Sequence, residues 1–383
     1  MMHYLLPNIC SSIQQYITCI QSSIPPEPNI SQSVSHYLID IKNNIQYFSY
    51  EWDIYKKYTN PYEYINTVLP NYNKSVSKYK PLSRSYFKMV EIITFFDIFL
   101  PNSFINFCNP INTFHLAEGP GGFIEAILNL RKNKKDKYVG MTLIDEHYDT
   151  NIPSWKNIER ILEDNPNIHI EYGKDKTGNI LSFDNFIYCI EKYGSSMDFI
   201  TADGGFDFYN DYNNQEIVVT KLLFAQISYA ICMQKYGGHF VLKVFDVFME
   251  HTIDLLCILS SFYKEVYITK PHTSRYANSE KYVVCKNFLF HNNYSFYHIF
   301  RKVFWEVVNC KFYIKRFLNI PVPLYFKNKL EEYNSIFGQK QVENIHQTLQ
   351  LIENNNKIDQ IVKLNTQKCV NWCLKHGIQC NYF

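Results

Sequence analysis

Apolar and polar residues alternate with two different periods along the central part of the chain. From residue 113 onward, short apolar runs typical of buried strands alternate with segments whose apolar residues recur every three or four positions. This alternation predicts an α/β fold with a parallel, doubly wound sheet of the Rossmann-like type. Seven strands are predicted, at residues 113–117, 138–143, 168–172, 197–202, 239–244, 265–269 and 282–288.

The last two predicted strands follow one another without a helix between them. We therefore expect the seventh strand to run antiparallel, at the edge of the sheet. Ligands of such sheets bind in the crevice at the carboxyl ends of the parallel strands. Chemically active residues at those strand ends are the first candidates for a functional site.

Helical segments precede and follow the predicted sheet. The sheet domain opens with a strongly apolar helix at residues 83–100, which Ser83 can cap and Pro101 ends. After the sheet, apolar residues return to helical spacing at 330–337 and 343–354. We therefore divide the chain into a helical N-terminal extension (residues 1–82), an α/β domain (residues 83–309) and a helical C-terminal extension (residues 310–383).

The composition is that of a folded chain, since 46% of its 383 residues are hydrophobic and 19% are charged. A net charge of +2 excludes a histone-like protein, so a nucleic acid would need a local basic face. The 11 cysteines are scattered and odd in number, which favours a reducing compartment. With no signal peptide and no membrane-length apolar stretch in the sequence, we expect a soluble intracellular protein without membrane contact.

A glycine-rich turn joins the first predicted strand to the next helix. Glycines there let the backbone approach a ligand closely, and the helix presents free N–H groups. The spacing does not fit the G-x-G-x-x-G of dinucleotide sites, and Pro120 removes one amide donor. The turn suits a ligand without a phosphate at this point, such as the amino-acid part of S-adenosylmethionine, but an ordinary strand-to-helix turn explains it equally well. Its residues are Glu118, Gly119, Pro120, Gly121, Gly122 and Phe123.

Four charged residues are predicted to meet near the carboxyl ends of the strands. Asp203 ends the fourth strand and Lys243 lies near the end of the fifth. Glu280 precedes the seventh strand, and Lys88 lies on the helix that opens the domain. Each residue alone is more simply explained by a structural ion pair. Together they place a lysine in an apolar setting near a second one, and both effects favour its uncharged amine, which can take a proton from a ribose hydroxyl at neutral pH.

Cysteine and histidine residues near the C-terminus have a spacing close to that of zinc ligands. They are Cys369, Cys373, His376 and Cys380. The spacing misses that of a zinc knuckle, and the first three fall at helical spacing together with Trp372. We therefore interpret this segment as a packing helix and expect no metal site.

Four motifs, in the same order, give the chain a resemblance to a known family. Residues 83–288 resemble the FtsJ/RrmJ-type ribose 2′-O-methyltransferases, and most of all the Adrift-type cap methyltransferases of eukaryotes and large DNA viruses. The motifs are HLAEGPGGFIE at 115–125, TADGGFD at 201–207, VLKVF at 241–245, and TSR at 273–275 followed by EKY at 280–282.

The resemblance implies a catalytic tetrad in which Lys243 is the general base for the 2′-hydroxyl and the other three residues tune and orient it. It also implies that residues 118–123 hold the methionine part of S-adenosylmethionine, with Asp175 on the adenine side. No metal is required by this chemistry. The tetrad residues are Lys88, Asp203, Lys243 and Glu280.

Residues that would recognise the donor ribose and the RNA carry weaker signals. The second strand ends in residues 140–143 without the acidic residue that usually grips a ribose, and Asp145 follows only in the loop. Arg84 and Arg275 flank tetrad positions and are candidate contacts for RNA phosphates, although structural arginines would have the same spacing.

The predicted function is S-adenosylmethionine-dependent 2′-O-methylation of the mRNA cap region, at the first transcribed nucleotide. Two alternatives stay open: a ribosomal or transfer RNA methyltransferase, and a non-catalytic RNA-binding subunit of a capping or polymerase complex. Capped mRNA is the expected partner, with other capping or transcription proteins as further candidates. The expected location is the host cytoplasm or virion for a viral protein and the nucleus for a cellular cap enzyme.

Overall fold

Ten strands form two sheets in the parts of the chain that the computed structural model describes, which are residues 1–9, 13–99, 109–144, 154–206, 213–354 and 356–381. Eight strands form a central sheet, and the second and tenth pair separately. The strands are β1 (Met2–Leu5), β2 (Ile17–Ser22), β3 (Asn112–Leu116), β4 (Lys137–Met141), β5 (Ile168–Ile170), β6 (Met197–Ala202), β7 (Gln234–Val244), β8 (Tyr263–Lys270), β9 (Lys281–Phe288) and β10 (Tyr313–Leu318).

Helices pack on both faces of the central sheet and make up most of the terminal extensions. Twelve α-helices occur within the same residue ranges. They are α1 (Gln32–Ile45), α2 (Ser49–Thr59), α3 (Ser85–Phe95), α4 (Gly122–Arg131), α5 (Glu159–Asp164), α6 (Phe183–Tyr193), α7 (Gln215–Val218), α8 (Thr220–Met233), α9 (Glu250–Phe262), α10 (Tyr297–Val308), α11 (Leu324–Glu353) and α12 (Ile358–Lys375).

The central sheet is mixed, with the strand order β1-β8-β9-β7-β6-β3-β4-β5. Strands β3 to β7 are parallel, and β9 is antiparallel to both of its neighbours, β7 and β8. The predicted α/β fold and the antiparallel direction of the seventh predicted strand are confirmed. Its predicted place at the edge is wrong. Helix α9 leads to β8, which lies one strand position away from β7, and β9 then fills the position between β7 and β8.

The apolar core lies on both sides of this sheet. All six residues of β6 are buried, as expected for a central parallel strand covered on both faces. One face packs against α8 and α9, whereas α3 and α4 cover the other. The continuous apolar runs in the sequence therefore reflect strands that have no solvent face.

The two extensions contain strands as well as helices. Strand β1 pairs antiparallel with β8 and adds an eighth strand to the central sheet, while β2 pairs antiparallel with β10. Both extensions were predicted to be helical, because their strands lack the continuous apolar runs of the central strands and, at four to six residues, are too short to show a clear alternation. The two ends of the chain thus join each other and the edge of the sheet.

Some predicted helices have different bounds in the structure. The segments 330–337 and 343–354 belong to one 30-residue helix, α11. Gly338 lies between them, and a Cβ atom there would lie 2.5 Å from Cγ1 of Val34, so this glycine allows a close approach of α1. The predicted end of the opening helix, Leu100, lies outside the described residues.

The parallel strands place their carboxyl ends at one edge of the sheet, which we call the carboxyl edge. Leu116 at the end of β3 pairs with Ala202 at the end of β6, and Ala202 pairs with Leu242 in β7. Strand β8 also ends at this edge, where the loop of residues 271–280 leads into β9. The carboxyl edge therefore collects the loops that carry the predicted site.

Candidate active site

The glycine-rich turn lies at the carboxyl edge, between β3 and α4. Gly121 has a φ of +110°, which residues with a side chain rarely adopt. The Glu118 carboxylate accepts hydrogen bonds from the backbone N–H groups of Phe123 (2.6 Å) and Ile124 (3.2 Å). Burial raises the pKa of Glu118, and these two N–H groups oppose the rise. Because a carboxylate already occupies the start of α4, the turn fits a ligand without a phosphate at this point.

Three other residues of the turn have different surroundings. Gly119 and Pro120 form its partly exposed tip. Gly122 packs against the start of α3, since a Cβ atom there would lie 2.3 Å from the hydroxyl oxygens of Ser83 and Ser85. The segment that leads to Lys88 therefore contacts the turn directly.

The Lys243 ammonium group lies against the loop that follows β6. Its Nζ donates to the backbone oxygen of Asp203 at 2.6 Å and lies 3.3 Å from Oδ1 of the same residue. The loop passes close to the amine, because a Cβ atom at Gly205 would lie 3.2 Å from Nζ. The Lys243 side chain is only 14% exposed, so the amine is oriented by the protein more than by water.

Lys88 and Glu280 form the second ion pair of the site. Nζ of Lys88 lies 2.7 Å and 2.8 Å from the two carboxylate oxygens of Glu280. The Ser274 hydroxyl donates to Oε1 of Glu280 at 2.8 Å. Burial raises the pKa of Glu280, but the ammonium groups of Lys88 and Lys243 outweigh burial and hold it well below its ordinary value. Glu280 is therefore ionised at neutral pH.

Tyr282 links the two ion pairs. Its hydroxyl donates to Oδ1 of Asp203 at 3.1 Å, and Nζ of Lys88 lies 5.9 Å from the centre of its ring. Burial and the nearby Asp203 carboxylate raise the pKa of Tyr282, so the hydroxyl keeps its proton. In the register of β7 and β9, Tyr282 stands opposite Lys243.

The structure thus brings together all four residues predicted to form a tetrad. Sequence reasoning missed Tyr282 and Ser274, although both lie inside the motifs that carried the resemblance. The signal for Tyr282 was its position two residues after Glu280, because residues two apart at a strand share one face.

Asp175 orders the loop that follows β5. Its carboxylate accepts hydrogen bonds from the N–H (2.9 Å) and hydroxyl (2.7 Å) of Thr177 and from the Asn185 amide (2.8 Å). Desolvation opposes them, but the Thr177 donors lower the pKa of Asp175 to about 2. The loop closes against the end of β4, where the Ile144 N–H donates to the Thr177 carbonyl. Asp145 lies outside the described residues.

The two arginines predicted to contact RNA have a protein partner. Both lie against the buried Glu63 carboxylate of the N-terminal extension, Arg275 at 2.6 Å and Arg84 at 3.4 Å. Each arginine side chain keeps 30% of its surface exposed. No local sequence pattern indicates Glu63, because its partners lie 21 and 212 positions away.

The residues with zinc-like spacing near the C-terminus belong to α12 and the turn after it. Cys369 and Cys373 are fully buried, and the His376 ring lies against Trp372 and contacts the Thr94 hydroxyl at 3.1 Å. Over the described residues, there is no group of three or more His, Cys, Asp or Glu side chains arranged to hold a metal ion. Likewise, no helix in these ranges has the length and apolar character needed to cross a membrane.

A cavity of about 270 Å³ opens beside Glu280. Its walls come from the N-terminal extension (Trp52, Lys56), the loop 271–280 and the C-terminal helix α11. Phe245, which directly follows the Lys243 strand, also lines it. Both extensions therefore contribute to the surroundings of the tetrad.

The fold and this site define a Rossmann-like methyltransferase: a parallel sheet with one inserted antiparallel strand, a glycine turn after its central strand, and lysines paired with carboxylates at its carboxyl edge. The chain belongs to the FtsJ-like methyltransferase family, whose sequence pattern matches residues 81–288. The family resemblance predicted from the motifs is thereby confirmed.

Three similar proteins are cap-specific mRNA (nucleoside-2′-O-)-methyltransferases. The type 2 protein of Pongo abelii is 28% identical over 331 residues, which cover 83% of this chain and 41% of that protein. The type 2 protein of Drosophila melanogaster is 31% identical and the type 1 protein of Bos taurus is 33% identical, over 46% and 59% of this chain and 27% of each relative. The chain therefore spans well under half the length of these relatives.

Proposed function

We propose that this protein transfers a methyl group from S-adenosylmethionine to a ribose 2′-oxygen near the 5′ end of capped mRNA. The proposed position is the first transcribed nucleotide. The observation that carries the proposal is the pairing of Lys243 with Asp203 next to the Lys88–Glu280 pair, beside a glycine turn suited to a donor without phosphate. The cap-specific names of three similar proteins support capped mRNA as the substrate.

Lys243 is the proposed general base. Two contacts with Asp203 orient its Nζ, and Glu280 and Lys88 balance the charge around it. Lys243 acts in its uncharged form: as the 2′-oxygen forms its bond to the methyl carbon, the hydroxyl proton passes to the free electron pair of Nζ. Holding both reactants in attack geometry supplies much of the acceleration.

The residues of the glycine turn fit S-adenosylmethionine. Bound donor supplies an electrophilic methyl group whose bonding electrons remain with sulfur. Residues 118–123 would hold its methionine part, because Glu118 occupies the N–H groups that a phosphate would need. Asp175 is proposed to lie on the adenine side, at the same edge of the sheet.

The RNA would approach from the side of the 270 Å³ cavity. Lys56 and Arg275 line it together with Trp52, a combination of cations and an aromatic ring suited to a nucleotide. Arg84 and Arg275 would contribute the exposed part of their guanidinium groups to phosphate contacts. Capped mRNA is thus the proposed partner, and capping or transcription proteins are candidates for further contacts.

A substrate comparison tests the proposed function. The protein is incubated with S-adenosylmethionine and the same RNA sequence carrying an N7-methylated cap, an unmethylated cap or no cap, and mass spectrometry locates the new methyl group. We expect 2′-O-methylation of the first nucleotide of capped RNA. Preference for uncapped RNA would point to a ribosomal or transfer RNA methyltransferase, and RNA binding without transfer would point to a non-catalytic subunit.

A further inference from the structure

Glu63 is a fully buried carboxylate in the N-terminal extension, outside the residues that the family pattern matches. It lies in the single helical turn Glu63–Ile65. Such complete burial of a charged carboxylate costs free energy unless both of its oxygens accept hydrogen bonds. Its oxygens accept from four residues: Asn60 at 2.7 Å, Thr67 at 2.9 Å, Arg275 at 2.6 and 3.0 Å, and Arg84 at 3.4 Å.

The two arginines connect Glu63 to the segments that carry the Lys88–Glu280 pair. Arg84 directly precedes α3, one turn before Lys88, and its Nη2 donates to the Thr273 carbonyl at 3.1 Å. Arg275 lies in the loop 271–280, next to Ser274, whose hydroxyl holds Glu280. A single carboxylate therefore ties both segments to the N-terminal extension.

We propose that Glu63 is a positioning residue for methyl transfer, which holds Arg84 and Arg275 away from Glu280 and so preserves the Lys88–Glu280 pair. This inference rests on the proposed function. Glu63 touches no reacting atom, and it acts through the two arginines.

The charges around Glu63 explain the expected effect of losing it. Burial raises the pKa of Glu63, but Arg275 and Arg84 outweigh burial and lower it to about 2, so the carboxylate is ionised in the working enzyme. Both guanidinium groups also lie within electrostatic range of Glu280. Without the Glu63 charge, Glu280 is the nearby carboxylate to which they turn, in competition with Lys88.

The test compares Glu63→Gln with a matched control, Asp254→Asn. Gln keeps the size and one acceptor oxygen but removes the charge. Asp254 is also a buried carboxylate held by a bidentate arginine, since Arg316 donates to it at 2.7 and 3.1 Å. It joins α9 to β10, and none of its contacts in the described residues involves the tetrad. Both variants are measured for kcat, for the KM of donor and RNA, and for thermal unfolding.

We expect Glu63→Gln to lower kcat by about tenfold or more while the KM of the donor changes by less than about twofold, the pattern of a lost transition-state interaction. Glu63→Asp, which restores the charge, should recover part of kcat. Asp254→Asn should lose stability without losing kcat.

Two results would overturn the inference: wild-type kcat in a folded Glu63→Gln variant, or losses of kcat in both variants that follow their losses of stability. Wild-type protein that methylates no RNA at all would instead overturn the proposed function, and this inference with it.

Discussion

Asp203 is the residue that fixes the orientation of the proposed base. It contacts Nζ of Lys243 twice, through its backbone oxygen at 2.6 Å and through Oδ1 at 3.3 Å. A hydrogen bond to a charged group, such as that from Tyr282, contributes about 1.5–3 kcal/mol. Asp203 therefore holds the Lys243 amine in place, and the hydrogen bond from Tyr282 holds the Asp203 carboxylate in place.

Tyr282→Phe should lower kcat by roughly tenfold or more, because it removes a hydrogen bond to the charged Asp203 worth about 1.5–3 kcal/mol and leaves the ring in place. Single-turnover methyl transfer to capped RNA measures this. Thermal unfolding of the variant serves as the control for folding. An unchanged rate in a folded variant would show that Tyr282 has no part in orienting Asp203.

Single residues of the site were predictable where they end strands. Asp203 and Lys243 follow apolar runs, and adjacent parallel strands bring their ends together. Glu63 was not predictable, since its ion pair with Arg275 joins residues 212 positions apart with no local pattern between them. A pairwise contact across the fold leaves no periodic signal in one sequence.

The glycine turn is the element whose backbone shape most directly serves the proposed donor site. Gly121 adopts a φ of +110°, and a Cβ atom there would also lie 3.1 Å from Ile158. A side chain at this position would strain the backbone and push the turn out of shape. The turn therefore depends on glycine at this position.

Gly121→Ala should cost about 1–2 kcal/mol of folding free energy and weaken donor binding by roughly tenfold. Denaturant unfolding and calorimetry with S-adenosylmethionine measure the two effects. Gly377→Ala is the matched control, because Gly377 also has a positive φ, of +66°, but its Cβ position is open. Equal donor affinity in both variants would show that the turn is not part of the donor site.

The order of the central strands along the chain was predictable from the sequence, but their order within the sheet was predictable only in part. All seven predicted strands are present, because their apolar runs are continuous. The insertion of β9 between β7 and β8 depends on which strand position α9 reaches, and β1 joins the sheet from about 260 positions away. Such long-range pairing is set by packing and has no counterpart in local periodicity.

At the scale of the whole molecule, the extensions complete the domain that the family pattern matches. Helix α11 packs against α1 and α2, and α12 packs against the turn that carries Glu63. The Glu63 ion pairs therefore connect the outer helices to the loops around the tetrad. Stability of the whole chain should depend on the charge of this one carboxylate.

We therefore expect the difference in free energy of unfolding between wild type and Glu63→Gln to change with pH. The pKa of Glu63 is about 2 in the folded protein, below its ordinary 4.5, so its stabilising contribution is complete above pH 4.5 and is lost as the pH falls towards 2. The stability difference should shrink by roughly 3 kcal/mol over that range. Denaturant unfolding of both proteins between pH 2 and 7 measures it, and a constant difference would contradict the assignment.

The most direct measurement of the central claim is methyl transfer by Lys243→Ala and Lys243→Arg variants, with donor binding followed by calorimetry. A general base contributes about 100-fold or more, so we predict a loss of at least that size in both variants, with donor affinity retained. Lys235→Ala is the control, because Lys235 is the second residue of the same strand and pairs with Asp198 at the opposite end of the strands. Transfer by either Lys243 variant within about tenfold of wild type would contradict the assignment of Lys243 as the base.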